Sequence, residues 1–169
     1  AVNVYFFSQV RNVIDTKQVV ESYTWLPDLG INLVFLLDPL GLFFALLVSF
    51  LGLLVSIYAL EYMKGYAQAG RFFAYFLFFM ASMLGLVLSS NLISLFVFWE
   101  LTSVSSFFLI GFNHTDAKSR YASRQALLVT GGGGLALMAA FIMINLVTGS
   151  YDLREIMARQ EMFSLGGQH

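Results

Sequence analysis

The chain has 169 residues, of which 59% are hydrophobic and 11% are charged, and its net charge is -1. A soluble domain carries about 25% charged residues, so this composition indicates an integral membrane protein rather than a soluble enzyme or a nucleic-acid-binding protein. Cysteine is absent and the two histidines, His114 and His169, lie far apart, so we expect no disulfide, no metal site and no bound cofactor.

Residues 1–37 are predicted to be extended and to form a β-hairpin outside the bilayer. The opening AVNVYFFSQV is rich in β-branched and aromatic residues, and VVESYTWL and INLVFLL flank Pro27-Asp28-Leu29-Gly30. Proline presets φ and glycine accepts positive φ, so this tetrapeptide predicts the turn of the hairpin. No initiator methionine is present, and we expect the chain to be a segment of a longer one.

Long uncharged runs follow and predict an all-α membrane segment over residues 38–149. Asp38-Pro39 opens the first run with a helix-capping pair, and 22 residues span about 33 Å, roughly one hydrocarbon core. Ser89-Ser90-Asn91 divides the next run into two crossings. The predicted transmembrane helices are 39–60, 71–89, 91–112 and 124–148. Residues 150–169 are expected to form a short interfacial helix and a tail.

Short segments between the spans carry most of the positive charge. The loops 61–71 and 113–124 hold Lys64, Arg71, Lys118, Arg120 and Arg124. For a multi-pass membrane protein, the positive-inside bias therefore predicts that these two loops lie in the cytoplasm and that both chain ends lie outside it.

Glu100 is the candidate functional residue, because it is the one charged side chain between Arg71 and Asp116 and lies near the middle of a predicted crossing. An acid at that depth costs roughly 2.5–3.5 kcal/mol on insertion scales unless a partner or a cavity compensates it. Burial disfavours its charged form and a nearby cation favours it, so such an acid can take up and release a proton. The alternative is a structural acid held by Thr102 and Ser103.

Thr102, Ser103 and His114 are possible supporting residues for Glu100, and the four-glycine run is a separate feature. His114 beside Asp116 could admit protons at the membrane edge, although a solvated loop histidine is the simpler interpretation. The run Gly131-Gly132-Gly133-Gly134 lacks the strand and the Gly-Lys-Ser/Thr of a phosphate loop. Within a transmembrane helix it predicts close helix packing, with a mobile hinge as the alternative.

The run SSNLISLFVFWELTSVSSFFLIGF resembles the antiporter-like subunits of Mrp-type Na+/H+ antiporters and of the respiratory complex I membrane arm. The stretch FWELTSVSSFFLIGF is more similar to the large antiporter-like subunit of the Mrp branch. Three other stretches agree: WLPDLGINLVFLLDPLGLFFALL, YALEYM and RQALLVTGGGGLAL. One departure is Leu36, where many members have arginine.

The resemblance implies that Glu100 matches the glutamate of the family's fifth transmembrane helix. That residue is thought to pair with a lysine of the seventh helix, which would lie beyond His169. The implied function is exchange of protons for monovalent cations such as Na+ by one subunit of a hetero-oligomeric complex in the bacterial inner membrane. The implied partners are the lipid bilayer, the remaining helices of the same subunit and the other subunits of the complex. The alternatives are a redox-driven pump subunit of complex I or a membrane-bound hydrogenase, and a structural membrane scaffold.

Overall fold

The computed structural model describes residues 2–16, 18–26 and 31–166. Within these residues the chain forms six helices and one antiparallel hairpin. In chain order they are α1 (Val2–Thr16), β1 (Val19–Leu26), β2 (Ile31–Leu37), α2 (Pro39–Tyr62), α3 (Ala69–Leu88), α4 (Leu92–Ile110), α5 (Ala117–Thr148) and α6 (Leu153–Gly166).

The first helix corrects the prediction that residues 1–37 are extended throughout. Residues Phe6, Val10 and Val13 recur at helical spacing, and this stripe packs against an apolar cluster that includes Leu37, Leu42 and Ala45. The periodicity of the apolar residues therefore outweighs the β propensity of the individual residues. The hairpin accordingly occupies only the second half of the segment assigned to it.

The N-terminal end of α1 is bonded to the interior of α2. Asn3 Nδ2 donates to the Ser49 carbonyl oxygen at 3.2 Å, and Ser49 Oγ donates to Asn3 Oδ1 at 2.5 Å. Ser49 is ten residues into α2, about 15 Å from the start of that helix. Helix α1 thus runs alongside the first half of α2, a membrane-crossing helix by length and composition.

The predicted hairpin is present, with β1 and β2 paired antiparallel from Val19–Leu37 onward and an irregularity between Thr24 and Leu26. Its predicted turn, residues 27–30, lies outside the described residues. The backbone N–H of Ser90 donates to the Val34 carbonyl at 2.8 Å. The hairpin is therefore fixed over the connection between α3 and α4.

Helices α2, α3, α4 and α5 are each long and apolar enough to cross a membrane, which confirms the four predicted crossings. The largest difference is at the start of α5, which begins at Ala117 rather than at residue 124. Asp116 caps this helix by accepting from the backbone N–H groups of Lys118 and Ser119. The charged residues expected in a loop therefore form the first two turns of the helix.

Two other predicted boundaries are set by capping side chains. Asp38 Oδ1 accepts from the Gly41 N–H at 2.6 Å with Pro39 in the first turn of α2, as the sequence predicts. Asn91 Oδ1 accepts from the N–H groups of Ile93 and Ser94, so the chain reverses direction between Leu88 and Leu92. A helix also follows the last crossing, as expected, from Leu153 to Gly166.

The four crossings alternate in direction and define two ends of the bundle. The hairpin end carries β1, β2 and residues 89–91 and 149–152. Two backbone hydrogen bonds of 2.9 Å join the last two segments: the Leu92 N–H donates to the Tyr151 carbonyl, and the Leu153 N–H donates to the Ser90 carbonyl. The loop end carries residues 63–68 and 111–116. Helix α4 lies between α3 and α5, while α2 contacts α1 and α3.

Small residues allow α3, α4 and α5 to approach closely. Ser82, Ser94 and Ser105 are buried at these contacts, and a Cβ on Gly85 would overlap the Phe98 ring. Such packing is typical of transmembrane helices, which lack a hydrophobic driving force between them. In contrast, large apolar side chains on the outer faces are exposed, among them Leu146 and Val147 of α5.

Candidate functional site

Glu100 lies midway along α4, on the side that faces α5. Its side chain is half-buried, and Oε1 is buried without a hydrogen-bond partner among the described residues. A buried polar atom without a partner carries a desolvation cost of about 1–3 kcal/mol. The carboxyl group is therefore positioned by packing and not by hydrogen bonding to this oxygen.

The two hydroxyl groups next to Glu100 in sequence bond elsewhere. Thr102 Oγ1 donates to the Trp99 carbonyl at 2.7 Å, and Ser103 Oγ donates to the same carbonyl at 3.3 Å. Hydroxyl side chains within helices commonly bond to the preceding turn in this way. The structural alternative required these hydroxyl groups to hold the carboxylate. In the described part of the chain, neither of them does.

His114 lies at the loop end and does not reach Glu100. Ile110, the last residue of α4, is already about 15 Å along the helix from Glu100. The imidazole Nδ1 of His114 instead lies 3.5 Å from Arg71 Nη2. His114 therefore lies at the end of the bundle and not beside Glu100, and its suggested role in proton entry stays a prediction.

Only one residue of the four-glycine run contacts the acid. A Cβ on Gly134 would overlap Glu100 Oε1, whereas a Cβ on Gly131, Gly132 or Gly133 would meet nothing within 4 Å among the described residues. The helix continues through all four glycines. Gly134 therefore provides the space that the Glu100 carboxyl group occupies.

The role of Gly134 was missed at the level of single residues, because the sequence does not reveal which glycine faces α4. Four helical glycines in succession point in four directions about 100° apart, so only one could face Glu100 directly. Which glycine faces the acid is determined by the register of α4 against α5, and this register depends on tertiary contacts.

A second cluster was also missed, because its members were interpreted only as topology signals. Arg71 at the start of α3 donates through Nη2 to the Phe112 carbonyl at 3.0 Å. Arg120 Nη1 donates to the carbonyls of His114 and Thr115 at 2.8 and 3.0 Å. These bonds gather basic side chains from two helices at the loop end.

The arrangement of the spans and of Glu100 defines a class of protein: a polytopic α-helical membrane protein with an acid at mid-depth between two helices. Intramembrane acids usually face a cavity, a partner cation or the pathway of an ion. Such a carboxyl group can exchange a proton or pair with a cation.

Comparison with known families is consistent with this class. Residues 25–73 match the model described as NADH-ubiquinone oxidoreductase (complex I), chain 5 N-terminus. Residues 89–168 match the model described as NADH:quinone oxidoreductase/Mrp antiporter, transmembrane. The chain belongs to this family of antiporter-like membrane proteins shared by complex I and the Mrp antiporters.

Curated relatives agree with the family models. The chain is 43% identical over 161 residues to a putative antiporter subunit mnhA2 of Staphylococcus haemolyticus, covering 95% of this chain and 20% of the relative. It is 48% identical over 134 residues to the A/B subunit of a probable K(+)/H(+) antiporter of Rhizobium meliloti, covering 79% and 13%. The chain thus spans about a fifth or less of the length of these relatives.

Solved structures share the fold. The Mrp complex from Dietzia sp. DQ12-45-1b matches with a TM-score of 0.74 and 32% identity, over 92% of this chain and 17% of that chain. Respiratory complex I from Thermus thermophilus matches with a TM-score of 0.73 over 92% of this chain and 32% of that chain. At 22% identity, the second match concerns the fold alone.

Proposed function

We propose that this chain forms part of a membrane transporter that exchanges monovalent cations for protons, with Glu100 in the proton path. The observation that carries the proposal is the buried Glu100 Oε1, which has no hydrogen-bond partner in the described part of the chain and lies against Gly134 at mid-membrane depth. The names of the relatives, which are bacterial antiporter subunits, support the same function.

The proposed mechanism uses the environment of Glu100 to control its proton. In an apolar site without a cation the neutral carboxyl group is favoured, and an approaching cation favours the carboxylate. The cation is a lysine outside this chain, as the family resemblance implies. Movement of that lysine towards and away from Glu100 would release and reload the proton.

The distribution of basic residues supports an orientation for this path. Five basic side chains lie at or near the loop end: Lys64, Arg71, Lys118, Arg120 and Arg124. By the positive-inside bias, the loop end faces the cytoplasm, and the hairpin end with α6 faces the opposite side. Glu100 then lies about halfway between the two aqueous phases.

The test is cation-driven proton flux in vesicles that contain the intact membrane complex, with the Glu100→Gln variant. We expect flux to fall to background, because the amide keeps the shape of the carboxyl group but cannot release a proton. Glu61→Gln is the matched control, since Glu61 is exposed at the end of α2 and pairs with Lys64. Flux at the wild-type level in Glu100→Gln would contradict the proposal.

The same vesicles separate the cations and the alternatives. Imposed Na+ and K+ gradients, tested one at a time, identify the exchanged ion. A redox-driven pump, suggested by the complex I model that matches residues 25–73, would instead require copurifying electron-transfer proteins and would not respond to either gradient. A structural scaffold would tolerate Glu100→Gln, but it predicted hydroxyl partners for the carboxylate, and Thr102 and Ser103 bond to Trp99 instead.

A further inference from the structure

A basic cavity at the loop end is separate from Glu100. It has a volume of about 380 Å³ and lies between the start of α3, the end of α4 and the start of α5. Three guanidinium groups and one imidazole line it, those of Arg71, Arg120, Arg124 and His114. No acidic side chain of the described residues lines this cavity, so the charged groups of its lining are basic.

Arg71 is the most enclosed of these basic groups. Its Nη2 donates to the Phe112 carbonyl, and its guanidinium lies 5.0 Å from the centre of the Phe112 ring. Its Nε is buried and has no hydrogen-bond partner among the described residues. The guanidinium is therefore held in place while part of its donor capacity is unused, as in a site that awaits an acceptor.

The other arginines are held at the rim by backbone acceptors. Arg120 donates to the carbonyls of His114 and Thr115, and Arg124 Nε donates to the Arg120 carbonyl at 3.2 Å. Neither forms an ion pair in the described part of the chain. The nearest acid in sequence, Asp116, uses its carboxylate to cap α5. Asp116 also attracts Arg120 electrostatically and offsets part of the positive charge of the cavity, whereas Arg71 and Arg124 have no ion-pair partner in the described part of the chain.

The remaining walls are aromatic and lead into the membrane-spanning segments. The rings of Tyr75 and Phe108 stack with their centres 4.9 Å apart, and Phe107 lies beside them. Tyr75 lies in the second turn of α3, and Phe107 and Phe108 lie in the last turn of α4. A ligand here would meet guanidinium groups at the membrane boundary and apolar rings on the membrane side.

We propose that this cavity binds the phosphate group of an anionic membrane lipid, with its acyl chains along the aromatic wall. Arginine forks match phosphate oxygens in geometry and charge. Basic cavities between transmembrane helices at the cytoplasmic boundary are a recognised form of headgroup site. A free phosphate ion would use the same guanidinium groups but would gain nothing from the aromatic wall, and this difference favours the lipid.

The experiment measures lipid retention by the intact membrane complex after detergent exchange and titration with phosphatidylglycerol or phosphatidylcholine, read by native mass spectrometry. We expect selective retention of phosphatidylglycerol, reduced about fivefold for each arginine removed. The variants are Arg71→Gln and Arg124→Gln. The second is needed because Arg71 also bonds to Phe112, beyond the end of α4, whereas within the described residues Arg124 bonds only to its own helix.

Lys118→Gln is the matched control. Lys118 is an exposed cation in the first turn of α5, and it does not line the cavity. Equal losses in Lys118→Gln and Arg124→Gln would overturn the proposal, because they would indicate general surface attraction. Equal retention of phosphatidylcholine would also overturn it. Inorganic phosphate is the last arm: if it binds the delipidated complex and added phosphatidylglycerol does not displace it, the ligand is a free anion and the lipid assignment is wrong.

Discussion

The mid-membrane site, formed by Glu100 and Gly134, differs from the loop-end cavity in how its ionisable group is held. In the mid-membrane site one carboxyl oxygen is buried against a glycine and has no hydrogen bond within the described residues. At the loop end, Arg71 and Arg120 are held by three backbone carbonyls, those of Phe112, His114 and Thr115. The Glu100 carboxyl group thus has an oxygen available for a partner, whereas the guanidinium groups of Arg71 and Arg120 are already held by the backbone.

The difference follows from the backbone that is available at each depth. Within a transmembrane helix nearly every carbonyl is already bonded to the next turn, so an acid or base there finds few backbone partners. At the helix ends the last carbonyls are free and accept from arginine. A mid-membrane charge therefore depends on other side chains for its partners, as the proton path proposed for Glu100 requires.

Gly134→Ala should break the mid-membrane site with the largest effect. The added Cβ would overlap Glu100 Oε1, so the carboxyl group must move and cation-driven proton flux should fall strongly. Because the overlapping atom is the end of a flexible side chain that can rotate away, and alanine has the higher helix propensity, the free energy of unfolding should change by less than about 1 kcal/mol. Flux in vesicles and thermal melting in detergent measure the two effects.

Gly132→Ala is the control for this prediction, because a Cβ there meets nothing within 4 Å among the described residues. In a Glu100→Ala background the overlapping oxygen is gone, so Gly134→Ala should raise the free energy of unfolding by up to about 1 kcal/mol, the gain in helix propensity. A loss of stability in that background would mean that Gly134 is needed for a contact other than Glu100.

Much of this difference could be predicted from the sequence, but not that Gly134 is the residue against which Glu100 packs. An uncharged run around a single acid identifies Glu100 without any structure, and Asp38 and Asn91 mark helix starts by their chemistry alone. The choice of Gly134 among four glycines depends on how α5 is rotated against α4. That rotation is set by packing of small residues along the whole contact, which no local pattern encodes.

The N-terminal segment shows a different kind of failure. Its β-branched and aromatic residues favour a strand individually, yet Phe6, Val10 and Val13 share one helical face that packs on the cluster with Leu42. Counting residue types gave the wrong structure, and counting their spacing would have given the right one. Likewise, Asp116 could have been recognised as a helix cap, which would have moved the start of α5 to Ala117.

Gly85→Ala sharpens the comparison by testing close packing without charge. A Cβ on Gly85 would overlap the Phe98 ring, so α3 and α4 must separate or the ring must rotate. We expect a loss of about 1–3 kcal/mol in the free energy of unfolding, with flux per folded molecule retained. Gly70→Ala, at a position with nothing within 4 Å among the described residues, should be neutral. Loss of flux in folded Gly85→Ala would show that packing alone, rather than the Glu100 carboxyl group, limits transport.

Asp116 offers the smallest effect and probes the loop end. Hydrogen bonds from the Ser119 backbone N–H, the Ser119 hydroxyl and the Lys118 N–H lower the pKa of this carboxyl below its ordinary value of 3.8. Because the pKa is lower in the folded state, the carboxylate stabilises the fold at any pH above the pKa of the unfolded chain. This stability is lost as the pH falls through the pKa of the folded state. Melting followed from about pH 6 to about pH 3 should therefore show destabilisation that is weaker in Asp116→Asn.

The control for this prediction is Glu61→Gln, which removes an exposed acid at the same end of the bundle that pairs only with Lys64 in the described part of the chain. Exposed ion pairs contribute little, so this variant should follow the acid melting profile of the wild type. If Asp116→Asn also follows that profile, the cap of α5 does not contribute to acid sensitivity. The loop end would then owe its order to the bonds that Arg71 and Arg120 donate to backbone carbonyls, and the contrast with Glu100 would become sharper.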